Sequence, residues 1–428
     1  MGDFLGYRCS RCQQEFSKEE VTYTCPHDGG NLDVLLDFDV IRGRYAIQDI
    51  EASTETSIWR YLPLLPVDDP GHWGSPLHAV GWTPLYDLEQ QASTFGLKQV
   101  WLKDDGRNPT ASFKDRASAV AVARAQSLGV DVIVTASTGN AGAALAGMAA
   151  AARMPAVILA PKTAPPAKVA QLLIFGARVV LVDGSYDDAF DLTLEASQAF
   201  GWYCRNTGFN PFTAEGKKTA AFEICEQLTR MNPDAEGQPG MWDVPDAVFV
   251  SVGDGNIISG IFKGFKDLYQ LGWIASIPRM YGVQSEGSAA VYNAFKSGSD
   301  DIEPVQADTL ADSISVDLPR DGWRALQAAR ESGGVYLAVS DAAILKAIEV
   351  LGRDTAVFAE PAGAAAYAGF LAAIESGLLG SKDRVLVMNT GNGLKDIKSA
   401  RQAAGEATVI EPTLDALRAL RSTWGSSG

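Results

Sequence analysis

VDVIVTASTGNAGAALAGMAAAARM, residues 130–154, is the stretch on which the reading of this chain turns. Its opening, 130–136, is a short run rich in Val and Ile, the composition of a strand buried on both faces. From 141 to 154 the run of Ala and Gly is long enough and uniform enough to be a buried helix. Between the two, Ser137-Thr138-Gly139-Asn140 supplies the residues of a turn. Strand, glycine turn and helix make half of a βαβ unit.

The same alternation extends in both directions. Apolar runs predict strands at 99–103, 156–160, 178–182, 202–205, 246–252, 280–284, 335–339 and 384–388. Helical patterns lie between them at 115–128, 166–175, 187–200, 214–231, 257–271, 341–351 and 362–376. Strands that take turns with helices, with few hairpin signals, predict an α/β fold of mostly parallel sheets covered by helices on both faces. Two segments read as loops, the Pro-, Gly- and Asp-rich 232–245 and the acidic 297–308, and the Ser/Gly-rich 422–428 is expected to fray.

At roughly 150 residues per domain, 428 residues give two or three domains. Apolar residues make up 46% and charged residues 21%, an ordinary globular mixture. With 52 acidic against 36 basic residues the net charge is −16, the opposite of what phosphate neutralisation on nucleic acid requires. A membrane span is not expected either, because 141–152 is shorter than the roughly 20 apolar residues a bilayer needs. The start, MGDFLGYRCSRC, lacks a charged-then-apolar leader, so a cytoplasmic protein with reduced thiols is expected.

Three of the five cysteines open the chain as Cys9-x2-Cys12 and, later, Cys25-Pro26-His27-Asp28-Gly29-Gly30. This looks like a zinc ribbon in which Asp28 stands where a fourth Cys is expected. Either His27 or Asp28 could complete a tetrahedron with Cys9, Cys12 and Cys25, or the ribbon has lost its metal and persists as a small packed hairpin.

Standard catalytic signatures are missing. The three histidines, His27, His72 and His78, all precede the α/β region, and there is no Walker loop and no GxGxxG after a strand. Cys204 and Cys225 read as small apolar packing. Instead, three turns join a predicted strand to a helix or loop at a place suited to anions: 135–142, where a carboxylate can dock, 252–260, whose glycines let backbone donors approach a phosphate, and 389–393. Lys114, in Asn108-Pro-Thr-Ala-Ser-Phe-Lys-Asp-Arg116, sits at a predicted helix start, where the dipole disfavours a cation. Kept neutral, that amine is a nucleophile for a carbonyl, which is Schiff-base chemistry.

These motifs together, with Gly81-Trp-Thr-Pro-Leu85, Glu215-Gly-Lys-Lys-Thr219 and Thr390-Gly-Asn-Gly-Leu-Lys-Asp396, resemble the threonine synthases. These are pyridoxal-phosphate enzymes of fold type II, the tryptophan synthase β-like group. The resemblance covers about residues 5–400 and implies a two-domain fold. Residues 1–36 would be a zinc-ribbon-like segment, 37–115 and 207–428 a large cofactor-binding domain, and 116–206 a small mobile one. It implies that Lys114 holds pyridoxal 5'-phosphate as an imine, with Phe113 near the ring. Asn140 would bond the 3′ oxygen, Thr390 would face the pyridine nitrogen, and Gly253, Asp254, Gly255, Asn256 and Ile257 would wrap the phosphate. Ser137 and Thr138 would receive the substrate carboxylate, and Asn206 and Asn210 match the asparagines of the substrate loop.

The implied reaction turns O-phospho-L-homoserine and water into L-threonine and phosphate, on a small amino-acid substrate bearing a phosphate, in a homodimer. Three positions depart from the pattern. Thr213 replaces an expected substrate-phosphate arginine, Lys217 replaces a Gln and could supply the lost charge to substrate, and Ala111 replaces a Gly. Enzymes of β-elimination or β-replacement, such as serine/threonine dehydratases or cysteate synthase, are the alternative within the same fold.

Overall fold

The computed structural model describes residues 3–137, 139–164, 166–232 and 240–424. Its strands form three sheets. Strands β1 (Phe4–Cys9), β2 (Glu15–Ser17) and β3 (Leu32–Leu36) make a small antiparallel sheet in the order β2-β1-β3. The others are β4 (Leu85–Asp87), β5 (Gln99–Asp104), β6 (Ile133–Ala136), β7 (Ala156–Pro161), β8 (Arg178–Val182) and β9 (Tyr203–Cys204). They continue with β10 (Ala247–Ser251), β11 (Arg279–Ser285), β12 (Tyr336–Val339) and β13 (Arg384–Asn389). The larger sheet runs β12-β11-β10-β13-β5-β4, parallel except for β4, and the other runs β8-β7-β6-β9, wholly parallel.

Helices α1 (Phe38–Arg44), α2 (Ile47–Glu51) and α3 (Glu89–Phe95) precede the lysine, and α4 (Lys114–Ser127) begins on it. Crossovers α5 (Asn140–Ala151), α6 (Pro166–Ile174) and α7 (Tyr186–Phe200) serve the four-stranded sheet, and α8 (Phe212–Met231) returns the chain to the larger one. That sheet is served by α9 (Asn256–Leu271), α10 (Ala290–Ser297), α11 (Gly322–Ser332), α12 (Asp341–Thr355) and α13 (Pro361–Glu375), before α14 (Ile397–Ala404) and α15 (Leu414–Arg421).

The strands of the sequence reading are all present, so the α/β fold with mostly parallel sheets stands. β6 begins at Ile133 instead of 130, because the Val130 N–H is spent on Ala125 O at the end of α4. Helices α1, α2, α3, α10, α11, α14 and α15 have no counterpart in the sequence reading; the loop from 298 to 308 contains neither helix nor strand. Residues 233–239 of the other expected loop, and 425–428 of the tail, lie outside the described residues. Among those described, no helix is long and apolar enough to cross a membrane.

The small-residue composition of α5 and α8 has a packing cause. A Cβ on Gly147 would come within 2.5 Å of Thr110 Cγ2, and one on Gly216 within 2.1 Å of Arg116 O. Helix α8 therefore lies directly on α4, the helix that carries the lysine.

Candidate active site

The residues on either side of Lys114 are locked. Asp115 accepts from Thr110 N at 2.6 Å and from the Thr110 hydroxyl, closing the loop that enters α4. Arg116 forks onto Asp105 at 2.6 and 2.9 Å and onto Glu223 at 2.5 and 2.7 Å, with Lys103 Nζ 2.8 Å from Glu223. All four of these charged side chains are fully buried, so removing any one would strand a charge. Between these anchors Lys114 faces a cavity of about 640 Å³, and among the described residues its amine has no hydrogen bond or ion pair. Burial, and then the Arg205 cation, bring the amine down to about 8, while Asp254 and Glu360 pull the other way.

The loop before α4 is stitched to the loop after β13. Phe113 N donates to Thr390 O at 2.9 Å, Asn392 N donates to Ala111 O at 3.1 Å, and Ser112 bridges to Gly391. Ala111 takes φ +63°, the left-handed region where the missing glycine would be at ease. Thr390 is thereby placed on the cavity wall with Lys114.

Helices α4, α5, α9 and α13 all begin at this cavity, and none has a side-chain hydrogen bond at its N-cap. Helix starts without a side-chain cap thus converge on one space, an arrangement that attracts anions. The loop into α9 is the tightest. Gly255 has φ +90°, and a Cβ there would meet Asp321 O at 2.7 Å, while one on Gly253 would meet Ile314 Cα at 2.8 Å. Asn256 is fixed by donating to Asp321 Oδ2 at 2.6 Å and by accepting from Thr213 Oγ1 at 3.1 Å and Lys217 Nζ at 2.5 Å. Burial, and then the cations Lys114 and Arg205, hold Lys217 well below the usual lysine range. Uncapped donors, compulsory glycines and crowded cations together fit a phosphate-bearing group.

Arg205, fully buried, also lines the cavity. Its Nε donates to Ser118 Oγ at 3.2 Å and its Nη1 to Thr207 Oγ1 at 2.7 Å, while the buried Nη2 has no partner among the described residues. Among the described residues it forms no ion pair, and burial lowers it to about 10, which leaves it charged at neutral pH. Opposite Lys114, Glu360 is lifted to about 7, chiefly by burial, and accepts from Asn140 Nδ2 at 2.6 Å.

Of the residues named from sequence, Lys114, Asn140, Ser137, Lys217, Thr390 and the run Gly253 to Ile257 all line this cavity. Phe113 does not. Its ring is core, with the Arg116 guanidinium 5.5 Å from its centroid, and only its backbone serves the site. Asn210 is also structural, capping Phe212 N at 2.9 Å and donating to Cys204 O at 2.7 Å. Asn206 stands behind the wall, accepting from Ala136 N and Thr135 Oγ1, with its own Nδ2 unpartnered among the described residues. Lys217, expected at the substrate, meets the α9 loop through Asn256. Thr138 lies outside the described residues. Cys9, Cys12 and Cys25 gather with Asp28 in the small antiparallel sheet, away from the cavity.

Sequence reading missed Arg205 and Glu360. Each carried a signal: a charge ending an apolar strand, and a charge heading an all-apolar helix, with no neighbour in sequence to pair with either.

Comparison with known proteins agrees with this geometry. Residues 77–391 match the model of the family described as "Pyridoxal-phosphate dependent enzyme". Over 413 residues the chain is 37% identical to the threonine synthase of Methanocaldococcus jannaschii, covering 96% of this chain and 98% of that protein. It is 38% identical over 415 residues to the threonine synthase of Methanosarcina acetivorans, with 96% and 97% covered. In fold it resembles processed threonine deaminase isoform 2 of Solanum lycopersicum, with TM-score 0.63 at 22% identity over 80% of this chain and 92% of that one.

Proposed function

The chain belongs to the pyridoxal-phosphate-dependent enzymes and among them to the threonine synthases, and from that premise we propose how its own residues turn O-phospho-L-homoserine and water into L-threonine and phosphate. The observation that carries the phosphorylated substrate is Arg205. A buried guanidinium with one nitrogen unbonded and no carboxylate partner among the described residues is costly unless an anion completes it, and Thr213 stands where the motif would otherwise supply an arginine. The one anion of serine or threonine is its α-carboxylate, which this reading gives to Ser137 and the start of α5, so neither amino acid has a second anion for Arg205.

Pyridoxal phosphate, when bound, supplies an electron sink conjugated to the substrate's α-carbon. Lys114 would hold it, with the Gly253–Ile257 run and Lys217 around its phosphate, Asn140 at its 3′ oxygen and Thr390 at its ring nitrogen. The hydroxyl of Thr390, unlike a carboxylate, does not force that nitrogen to stay protonated. The Lys114 amine would take a proton from Cα and then one from Cβ, deliver one to Cγ as the phosphate departs, and return one to Cα once water has added its hydroxyl at Cβ, the water's other proton restoring the balance. Ser137 and the uncapped start of α5 receive the α-carboxylate. Arg205 receives the γ phosphate, orienting it for departure. The four-stranded half, within 116–206, closes over the substrate and excludes water until hydration. The same reading has the enzyme acting in the cytoplasm as a homodimer, supported by the motif resemblance.

Incubation of purified protein with O-phospho-L-homoserine tests this: threonine and phosphate should appear in equal amounts. Phosphate from O-phospho-L-serine, or a keto acid from threonine, with no threonine synthesis would move the assignment to β-elimination or β-replacement.

A further inference from the structure

The small antiparallel sheet contributes no residue to the cavity lining, yet it and its loops hold three thiols and a carboxylate in one place. Ligand atoms of Cys9, Cys12, Cys25 and Asp28 all lie within 4.8 Å of one another. Tetrahedral zinc, with bonds of about 2.3 Å to sulfur and about 2.0 Å to oxygen, sets sulfur–sulfur edges near 3.8 Å and sulfur–oxygen edges near 3.5 Å. Cys12 Sγ to Cys25 Sγ measures 3.7 Å, and Cys9 Sγ stands 3.3 and 3.5 Å from the two oxygens of Asp28.

Backbone geometry supports the same reading. Arg11 N donates to Cys9 Sγ at 3.4 Å, the N–H to sulfur bond that steadies a thiolate ligand. Gly30 N donates to Asp28 Oδ1 at 2.8 Å, fixing the carboxylate. A Cβ on Gly30 would lie 2.9 Å from both Asp28 Oδ1 and Cys9 Sγ, so only glycine leaves room at this knuckle. His27, the other candidate for fourth ligand, stacks on Phe16 with centroids 5.8 Å apart and is not in the cluster.

We infer that Cys9, Cys12, Cys25 and Asp28 bind one zinc ion, or a thiophilic divalent cation of the same geometry, and that this metal braces the loop carrying Arg205. Binding releases the three thiol protons to solvent and leaves three thiolates and one carboxylate around the ion. The brace is direct. Asn31 Nδ2 donates to Gly208 O at 2.5 Å and to Arg320 O at 3.2 Å. Cys204 N donates to the Tyr23 hydroxyl at 2.9 Å, and the Tyr23 ring stacks on Phe209 at 4.6 Å. Trp323 Nε1 adds a bond to Ser10 O at 3.2 Å, on the knuckle itself. The loop from 204 to 210 is thus pinned to the sheet on both sides of Arg205.

Metal analysis of untagged, full-length protein tests the site independently of the reaction. One zinc per chain is expected, and cobalt(II) exchanged into the protein should give tetrahedral d–d bands with thiolate charge transfer. Asp28→Ala should lose stoichiometric metal, and Asp28→Cys should keep it with stronger charge transfer, which separates loss of a ligand from loss of fold. Wild type that retains no metal after incubation with zinc, a Cys12–Cys25 disulfide in its place, or an Asp28→Ala cobalt spectrum identical to wild type would overturn the assignment. The brace rests on the proposed reaction. Chelated holoenzyme should show a several-fold higher KM for O-phospho-L-homoserine with kcat less affected, restored by zinc. An unchanged KM in metal-free protein that still makes threonine refutes the brace alone, whereas a zinc-loaded protein that makes no threonine refutes the reaction.

Discussion

Asn140 Nδ2 donates a 2.6 Å hydrogen bond to Glu360 Oε1, and both residues line two adjoining cavities of about 640 and 380 Å³. The bond ties the first residue of α5, in the four-stranded half, to the residue that heads α13 on the larger sheet. The amide that should meet the cofactor's 3′ oxygen is therefore already paired. Entry of the cofactor has to exchange one acceptor for another, and the charge state of Glu360 enters the pH response of the site.

The wild-type amine at about 8 sets the first expectation. Below that pH Lys114 is protonated and cannot attack a carbonyl. The rate at which cofactor-free protein captures pyridoxal phosphate should rise through pH 8 and level off, well short of an ordinary lysine. Stopped-flow absorbance measures it, with Lys114→Ala as the blank; an imine band persisting in that variant would remove the lysine from its role.

Glu360→Gln should move this midpoint to lower pH. Above pH 7 the carboxylate is charged and raises Lys114, so its loss lets burial and Arg205 lower the amine further. An unchanged or higher midpoint would show that the two groups do not communicate.

For Arg205→Met, loss of charge-assisted bonds to phosphate should raise KM for O-phospho-L-homoserine by roughly 10- to 100-fold. Arg205→Lys should recover part of the loss, since it keeps the charge without the fork. Steady-state kinetics beside a melting curve decides: wild-type KM in both folded variants contradicts the assignment.

Ala111→Gly relieves a left-handed alanine. The strain of about 1–2 kcal/mol exceeds the added freedom of the unfolded chain, for a net gain of about 0.5–1 kcal/mol. Denaturant midpoints of the two proteins, compared in one buffer, check the sign.

Removing Glu223 should be severe. Glu223→Ala leaves Lys103 without its carboxylate and Arg116 with Asp105 alone, and should cost roughly 3–5 kcal/mol, while Glu15→Ala, at an exposed pair with Arg8, should cost under about 1 kcal/mol. Burial raises the Glu223 carboxyl, but the two cations outweigh it and hold it at about 2. Its folded pKa is depressed, so its contribution is complete above the ordinary 4.5 and fades as pH falls toward 2. Acid titration of stability should show that window in wild type.

Strands buried on both faces were legible because continuous apolar runs leave little else to be. Lys114 and the α9 loop were legible as chemistry that local structure would not choose, a cation at a helix start and glycines in series. Side-chain direction was not legible. Phe113 and Asn210 sit inside motifs, yet one packs in the core and the other caps a helix, since a motif fixes a residue's position along the chain and tertiary packing fixes where it points. Arg205 and Glu360 escaped for the converse reason, as their significance lies in partners they lack or find far away in sequence. Asp28 was one of two candidates until its knuckle could be seen.

The pairing of Phe113 and Ser112 with Thr390 and Gly391 also dictates when the protein becomes competent during its synthesis. The segment that presents the amine is made well before the segment that orders it. A nascent chain stalled before β13 would lack the partners of Phe113 and Ser112, so the loop that presents the amine stays unlatched until that later segment has been made.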